Sequence, residues 1–133
     1  MIVGVGIDIA PVARFEKALR DPEDSLRDAV FTAAEAAYCE SKRDPARHFA
    51  ARVAAKEASL KALGGAGAGL PSFRDVEVCV EDSGVPRIEL HGRLREMVEM
   101  RRIDAIHVSL THTEDLAAAV VVMESSAPRE VQE

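Results

Sequence analysis

The stretch from about Arg47 to Leu63 constrains the fold more than any other part of this 133-residue chain. Alanine recurs through it, which gives it high helix propensity, and Gly64-Gly65 ends it. With Arg52 at zero on a wheel of about 100° per residue, Phe49, Val53, Leu60 and Leu63 gather between roughly 20° and 100°. Lys56 falls inside that apolar sector, at roughly 40°. A lysine there must snorkel, pair or reach a ligand, and Arg52 stands beside the same sector. Such local inconsistencies tend to mark functional sites, so the helix reads as one that handles anions. Glu57 and Lys61, one turn apart on the neighbouring edge, suit an ordinary stabilising pair as well as they suit such a site.

The segments around this helix alternate between strand and helix signals. Ile2 to Ile9 is apolar and β-branched and reads as a buried strand that points Asp8 outward at its end. Gly4 and Gly6 suit close backbone packing; a dinucleotide fingerprint would need a third glycine where Ile9 stands. Pro11 opens a helix with Val12, Phe15 and Leu19 on one face and a basic outer edge of Arg14 and Lys17. Asp21 to Asp28 is a polar break carrying a short helical piece, and Thr32 with Glu35 forms a capping-box signature for a helix through about Glu40.

After the charged loop Ser41 to Arg47 and the long helix, Gly64 to Gly69 reads as a flexible loop. Asp75 to Val80 and Arg87 to His91 read as a hairpin about Ser83-Gly84-Val85-Pro86, and Leu94 to Met100 as a helix. Ile106 to Leu110 and Leu116 to Met123 are two final strands joined by a polar loop, Thr111 to Asp115. The expectation is a single-domain α+β fold over residues 1–124, with about five mainly antiparallel strands packed with about four helices. Residues 125–133 are expected to form a frayed polar tail.

Only 4% of residues are aromatic, so the core must come from Val, Ile, Leu and Ala, and a partner subunit could bury what one chain leaves exposed. Cys39 and Cys79 lie far apart with no ligand cluster and read as small buried hydrophobes. The net charge of −6, without a basic block, argues against nucleic acid as a partner. The first residues have no basic region and meet a carboxylate at Asp8, so neither a signal peptide nor a membrane span is expected, and the cytoplasm is the expected compartment.

Asp8, at the end of its strand, is either a solvated terminus or a metal ligand. Val108-Ser109-Leu110-Thr111-His112-Thr113 offers hydroxyls, backbone N–H groups and an imidazole that suit phosphate oxygens or a plain turn. Gly84 to Arg87 is most economically a turn, with Arg87 available to a ligand. Two carboxylates for a hard cation and several donors for phosphates is the layout of magnesium-dependent phosphoryl transfer. No Gly-Lys-Ser/Thr follows Gly64 to Gly69, which excludes a Walker A loop.

Gly6-Ile7-Asp8-Ile9, Phe31-Thr32 with Glu35, Ala51 to Ala58 with Lys61, Gly84 to Arg87, and Val108 to Thr113 together resemble the holo-acyl-carrier-protein synthases. These are the small, stand-alone class of 4'-phosphopantetheinyl transferases, and the resemblance runs from Met1 to Glu124. It implies transfer of the phosphopantetheine arm of coenzyme A to a serine hydroxyl of apo acyl carrier protein, releasing adenosine 3',5'-bisphosphate. Asp8 and Glu57 match the family's Mg2+ ligands, and Lys61 its lysine near the pyrophosphate. Arg52, Pro86, Arg87, His112 and Thr113 match positions that contact coenzyme A, and Lys42 and Arg43 fall near its 3'-phosphate. The helix bearing Arg14 and Lys17 corresponds to the carrier-docking helix. Larger members look like two such units fused, so the resemblance implies a homotrimer with active sites between subunits, His112 approaching Asp8 and Glu57 of a neighbour. The rival readings are a magnesium-dependent pyrophosphohydrolase of coenzyme A or a related nucleotide, and a non-catalytic coenzyme A binding module.

Overall fold

The computed structural model describes residues 1–65 and 73–126. The chain begins with strand β1 (Ile2–Pro11), followed by helices α1 (Val12–Arg20), α2 (Leu26–Val30), α3 (Ala33–Glu40) and α4 (Pro45–Ala62). A 3-10 turn at Phe73–Asp75 leads into the hairpin β2 (Val76–Val80) and β3 (Pro86–Leu90). Helix α5 (Gly92–Met100) and strands β4 (Ala105–His112) and β5 (Leu116–Glu124) complete it. The expected α+β class holds, with five helices and five strands among the described residues. Part of the predicted Gly64 to Gly69 loop, residues 66–69, lies outside the described residues, as does 127–133 of the tail.

All strand pairings are antiparallel: β1, β5 and β4 form one sheet in that order, and β2–β3 forms a second. Helix α4 lies against the first sheet, and the two glycines of β1 make that approach possible. A Cβ on Gly6 would stand 1.8 Å from the Ala58 carbonyl oxygen, and one on Gly4 2.0 Å from that of Ala62. Because side chains alternate along a strand, Asp8 shares the helix-facing side with Gly4 and Gly6. Close packing of small residues, foreseen from the sequence, is therefore what carries Asp8 to the helix.

Alternation also corrects the reading of β1 as a buried strand. Its other face, Val3, Val5, Ile7 and Ile9, is exposed in a single chain, Ile7 to 64%. A continuous apolar run cannot be told from a half-buried one by composition alone. Leu19 is likewise exposed, while Val12 and Phe15 on the same helix are buried. Thr111 and His112 extend β4 rather than belonging to the loop, paired with Ala118 and Ala117. Cys39 is buried as expected, but Cys79 is only half-buried. Beyond Glu124 the chain stays tied, Ser125 exchanging hydrogen bonds with Met1.

The core is small-residue-rich, with a short aromatic seam of Phe15, Phe31 and Phe49 stacked edge to face. The capping box at Thr32 and Glu35 is present. Glu35 does more than cap. It is 1% exposed, and besides accepting from Thr32 N it accepts from Lys56 Nζ at 2.8 Å and Val78 N at 3.0 Å. Lys56, wholly buried, spends its other donors on the carbonyls of Phe73 and Val76. Its place in the apolar sector is thus explained by pairing, and the anion-handling reading of Lys56 is overturned. The network joins α3, α4 and the hairpin.

Candidate active site

Asp8 from β1 meets Glu57 and Lys61 from α4. Lys61 Nζ donates to Asp8 Oδ1 at 2.8 Å and to the Ile7 carbonyl at 3.2 Å, so it bonds across to the strand rather than back to Glu57. Asp8's side chain is 11% exposed, and its Oδ2 is buried without a donor. Glu57 is the neighbouring carboxyl that acts on it. Hydrogen bonding to the Asp8 carboxyl, then burial and the Asp8 charge, push Glu57 up to about 7, against the opposing charges of Lys61 and Arg14. Burial also pushes Asp8 upward, but hydrogen bonds from Glu57 and Lys61 and the Lys61 charge outweigh it, holding Asp8 below its ordinary value. One proton serves two adjacent carboxyls.

With both groups ionised such a pair favours a cation beyond Lys61, and Asp8 Oδ2 is buried with no hydrogen-bond partner. Two adjacent carboxylates with an unsatisfied buried oxygen fit a hard divalent ion that prefers oxygen ligands. A second group, Glu77, Cys79 and Glu89, also has ligand atoms within 4.8 Å of one another. Its members are already engaged, Glu77 by Thr32 and His91, Glu89 by Arg87, and burial pushes the Cys79 thiol up to about 11. A protonated thiol is a poor ligand.

The remaining predicted residues fall into separate groups. Arg14 lies on α1 close enough for its charge to act on Glu57, and exposed Lys17 stands on the same helix. Lys42 and Arg52 both stack on Tyr38, at 4.6 and 4.4 Å from the ring centre. Arg52 is 3% exposed and donates to the His48 carbonyl. His112 faces His48, ring centres 5.7 Å apart. Arg43 lines a cavity of about 340 Å³ shared with Leu19, Arg20, Arg47 and Glu114. Pro86 and Arg87 stand on the second sheet, where Arg87 pairs with Glu89 at 3.3 Å. Thr113 closes its own turn, its hydroxyl accepting from Leu116 N at 3.1 Å.

A single chain therefore assembles Asp8, Glu57 and Lys61 but leaves His112 two strands from Asp8, since His112 pairs with Ala117 and Asp8 with Ala119 on the intervening β5. Tyr38 and His48 were not singled out from the sequence. The signal was present for His48 and Arg52, four residues apart on one face of α4; Lys42 lies in the loop after α3, where no helical spacing ties it to Tyr38.

A family model described as the 4'-phosphopantetheinyl transferase superfamily matches residues 4–121. A holo-[acyl-carrier-protein] synthase of Geobacter sp. (strain M21) is 44% identical over 125 residues, covering 93% of this chain and 99% of that protein. The crystal structure of the holo-[acyl-carrier-protein] synthase from Neisseria meningitidis superposes with a TM-score of 0.82 at 29% identity, over 94% of this chain and 100% of that one. That of Bacillus anthracis, solved in complex with CoA (3',5'-ADP), gives 0.76 at 34% identity, over 95% and 99%.

Proposed function

The chain belongs to the 4'-phosphopantetheinyl transferase superfamily, within it to the holo-[acyl-carrier-protein] synthases, and from that premise we propose which residues carry the reaction. It is a transferase that moves phosphopantetheine from coenzyme A to acyl carrier protein. The observation that carries the residue assignment is the Asp8–Glu57–Lys61 cluster, with its buried, donorless Asp8 oxygen.

In this reading Asp8 and Glu57 hold Mg2+. When bound, the ion offsets charge on the pyrophosphate before and during displacement. The carrier's serine oxygen attacks the pantetheine-side phosphorus, and the bond to the bridging oxygen breaks to release adenosine 3',5'-bisphosphate. Lys61, with a side chain 57% exposed beyond its bond to Asp8, is placed to donate to the leaving phosphate. The serine proton would pass to a water held beside Glu57 as that water gives up a proton of its own to the Glu57 carboxylate, so the carboxylate is the final acceptor. Lys42, Arg43, Arg52, Pro86, Arg87, His112 and Thr113 bind coenzyme A.

We assign Arg14 and Lys17 to carrier docking. Support comes from Arg14 acting on Glu57, since a carrier seated on that edge of α1 presents its hydroxyl beside the carboxylate pair. Lys17 also complements the negative end of the α1 dipole. We also propose a homotrimer with shared sites; the exposed apolar face of β1 and the separation in register of His112 from Asp8 support an arrangement in which a neighbouring copy completes the site. In that assembly a neighbour's His112 would complete the site. Residues 1–124 form the catalytic domain in this proposal, with the cytoplasm as its compartment; no helix among the described residues is long and apolar enough to cross a membrane.

Incubating the protein with coenzyme A, Mg2+ and apo acyl carrier protein, then weighing the intact carrier, tests the assignment. Wild type adds the phosphopantetheine mass, and Asp8→Ala or Glu57→Ala adds none while remaining folded. Turnover near wild type in either variant would sink the metal assignment. Loss of coenzyme A with an unmodified carrier would favour the hydrolase.

A further inference from the structure

Lys42 and Arg52 converge on the ring of Tyr38, the chain's only tyrosine. Neither makes an ion pair among the described residues. Arg52 is the sharper case: its guanidinium is almost wholly buried, gives one hydrogen bond to the His48 carbonyl at 3.2 Å, and leaves Nε buried without an acceptor. A buried cation ordinarily has an anionic partner. Here an aromatic face stands in for it, and His48 and His112 crowd the same region with further donors. Among the described residues neither cation is neutralised by a carboxylate, as a site for an anionic ligand requires.

The anion's chemistry follows from what is missing. The Asp8–Glu57 pair can bind a phosphate group through a cation, whereas among the described residues neither Lys42 nor Arg52 pairs with a carboxylate: Asp44, whose charge reaches the neighbouring His48, pairs with Arg47 instead. An anion here is gripped by protein cations alone. Coenzyme A carries two kinds of phosphate, the diphosphate that reacts and a 3'-monoester that does not. With the diphosphate assigned to the carboxylate pair and Lys61, the monoester dianion remains. Lys42 on a flexible stem would lose rotamer freedom on gripping it, and a ring that already confines the ammonium lowers that cost.

We propose that Tyr38 is a positioning residue, holding Lys42 and Arg52 by cation–π contact to receive the 3'-phosphate of coenzyme A. The inference rests on the transferase reading above. Tyr38 does not touch the reacting atoms, so its removal changes capture of the substrate and leaves the chemical step alone.

The test compares coenzyme A with 3'-dephospho-coenzyme A as donors to apo acyl carrier protein, for wild type, Tyr38→Phe, Tyr38→Leu and Lys42→Met. Tyr38→Phe keeps the ring and stays within about twofold of wild type. Loss of cation–π support in Tyr38→Leu raises KM for coenzyme A by about five- to tenfold at unchanged kcat. KM for the dephospho donor does not change between wild type and Tyr38→Leu. Lys42→Met, which leaves the ring in place, reproduces the same selective rise and stands in if Tyr38→Leu fails to fold. An equal rise for both donors, a fall in kcat at constant KM, or a wild type indifferent to the 3'-phosphate would overturn the assignment while leaving the transferase intact. Absence of transfer by wild type from either donor would overturn the function, and this inference with it.

Discussion

Replacing Lys56 by methionine tests the network that seats the hairpin against α4. The side chains are close in volume, so the change deletes a charge rather than opening a cavity. It leaves the Glu35 carboxylate, 1% exposed, with only the backbone donors Thr32 N and Val78 N, and strands the carbonyls of Phe73 and Val76. Breaking one side of a buried ion pair costs about 3–5 kcal/mol, which is a large share of a typical domain stability of about 5–15 kcal/mol. Replacing both partners by apolar groups removes the uncompensated charge, so Lys56→Met with Glu35→Met should cost clearly less than the sum of the single changes. A coupling of about 2–3 kcal/mol is expected. Urea unfolding at one fixed protein concentration measures all four corners of the cycle, the fixed concentration being needed if copies associate. A single-variant cost below about 1 kcal/mol, or singles that add without coupling, would refute the account.

Other expectations follow from the same geometry. Asp8→Asn removes the neighbouring carboxylate that raises Glu57 from its ordinary 4.5 to about 7, so Glu57 in the metal-free protein should titrate well below 7 in the variant; NMR titration of its side chain reads this, and an unmoved midpoint would deny the pairing. Burial pushes Glu77 up, yet hydrogen bonds from Thr32 and His91 hold it below its ordinary 4.5. Because its folded value is depressed, its contribution is fully present above 4.5 and is lost as pH falls through the folded value. Glu77→Gln should therefore cost about 1 kcal/mol at pH 7 and progressively less in acid, measured as the difference in unfolding free energy across pH. Ile7→Glu places a charge on the exposed apolar face of β1 proposed to meet a neighbouring copy and should give a monomer without transfer activity; light scattering showing an active monomer would contradict the proposed shared sites.

The sequence by itself determined the local elements and the residue types at the proposed reaction centre. Helix propensity between Arg47 and Leu63, the capping box at Thr32 and the turn at Gly84 act over a few residues, and each appears where expected. Asp8, Glu57 and Lys61 were legible because their motif order resembles a known family. Only the tertiary structure decided that Lys56 pairs with Glu35, that β1 buries one face and exposes the other, and that Tyr38 gathers two cations. The reason is physical. A period in sequence says which residues share a face, but what that face meets depends on segments 21 or 53 positions away, and the free energy of a buried charge is set by whichever partner arrives.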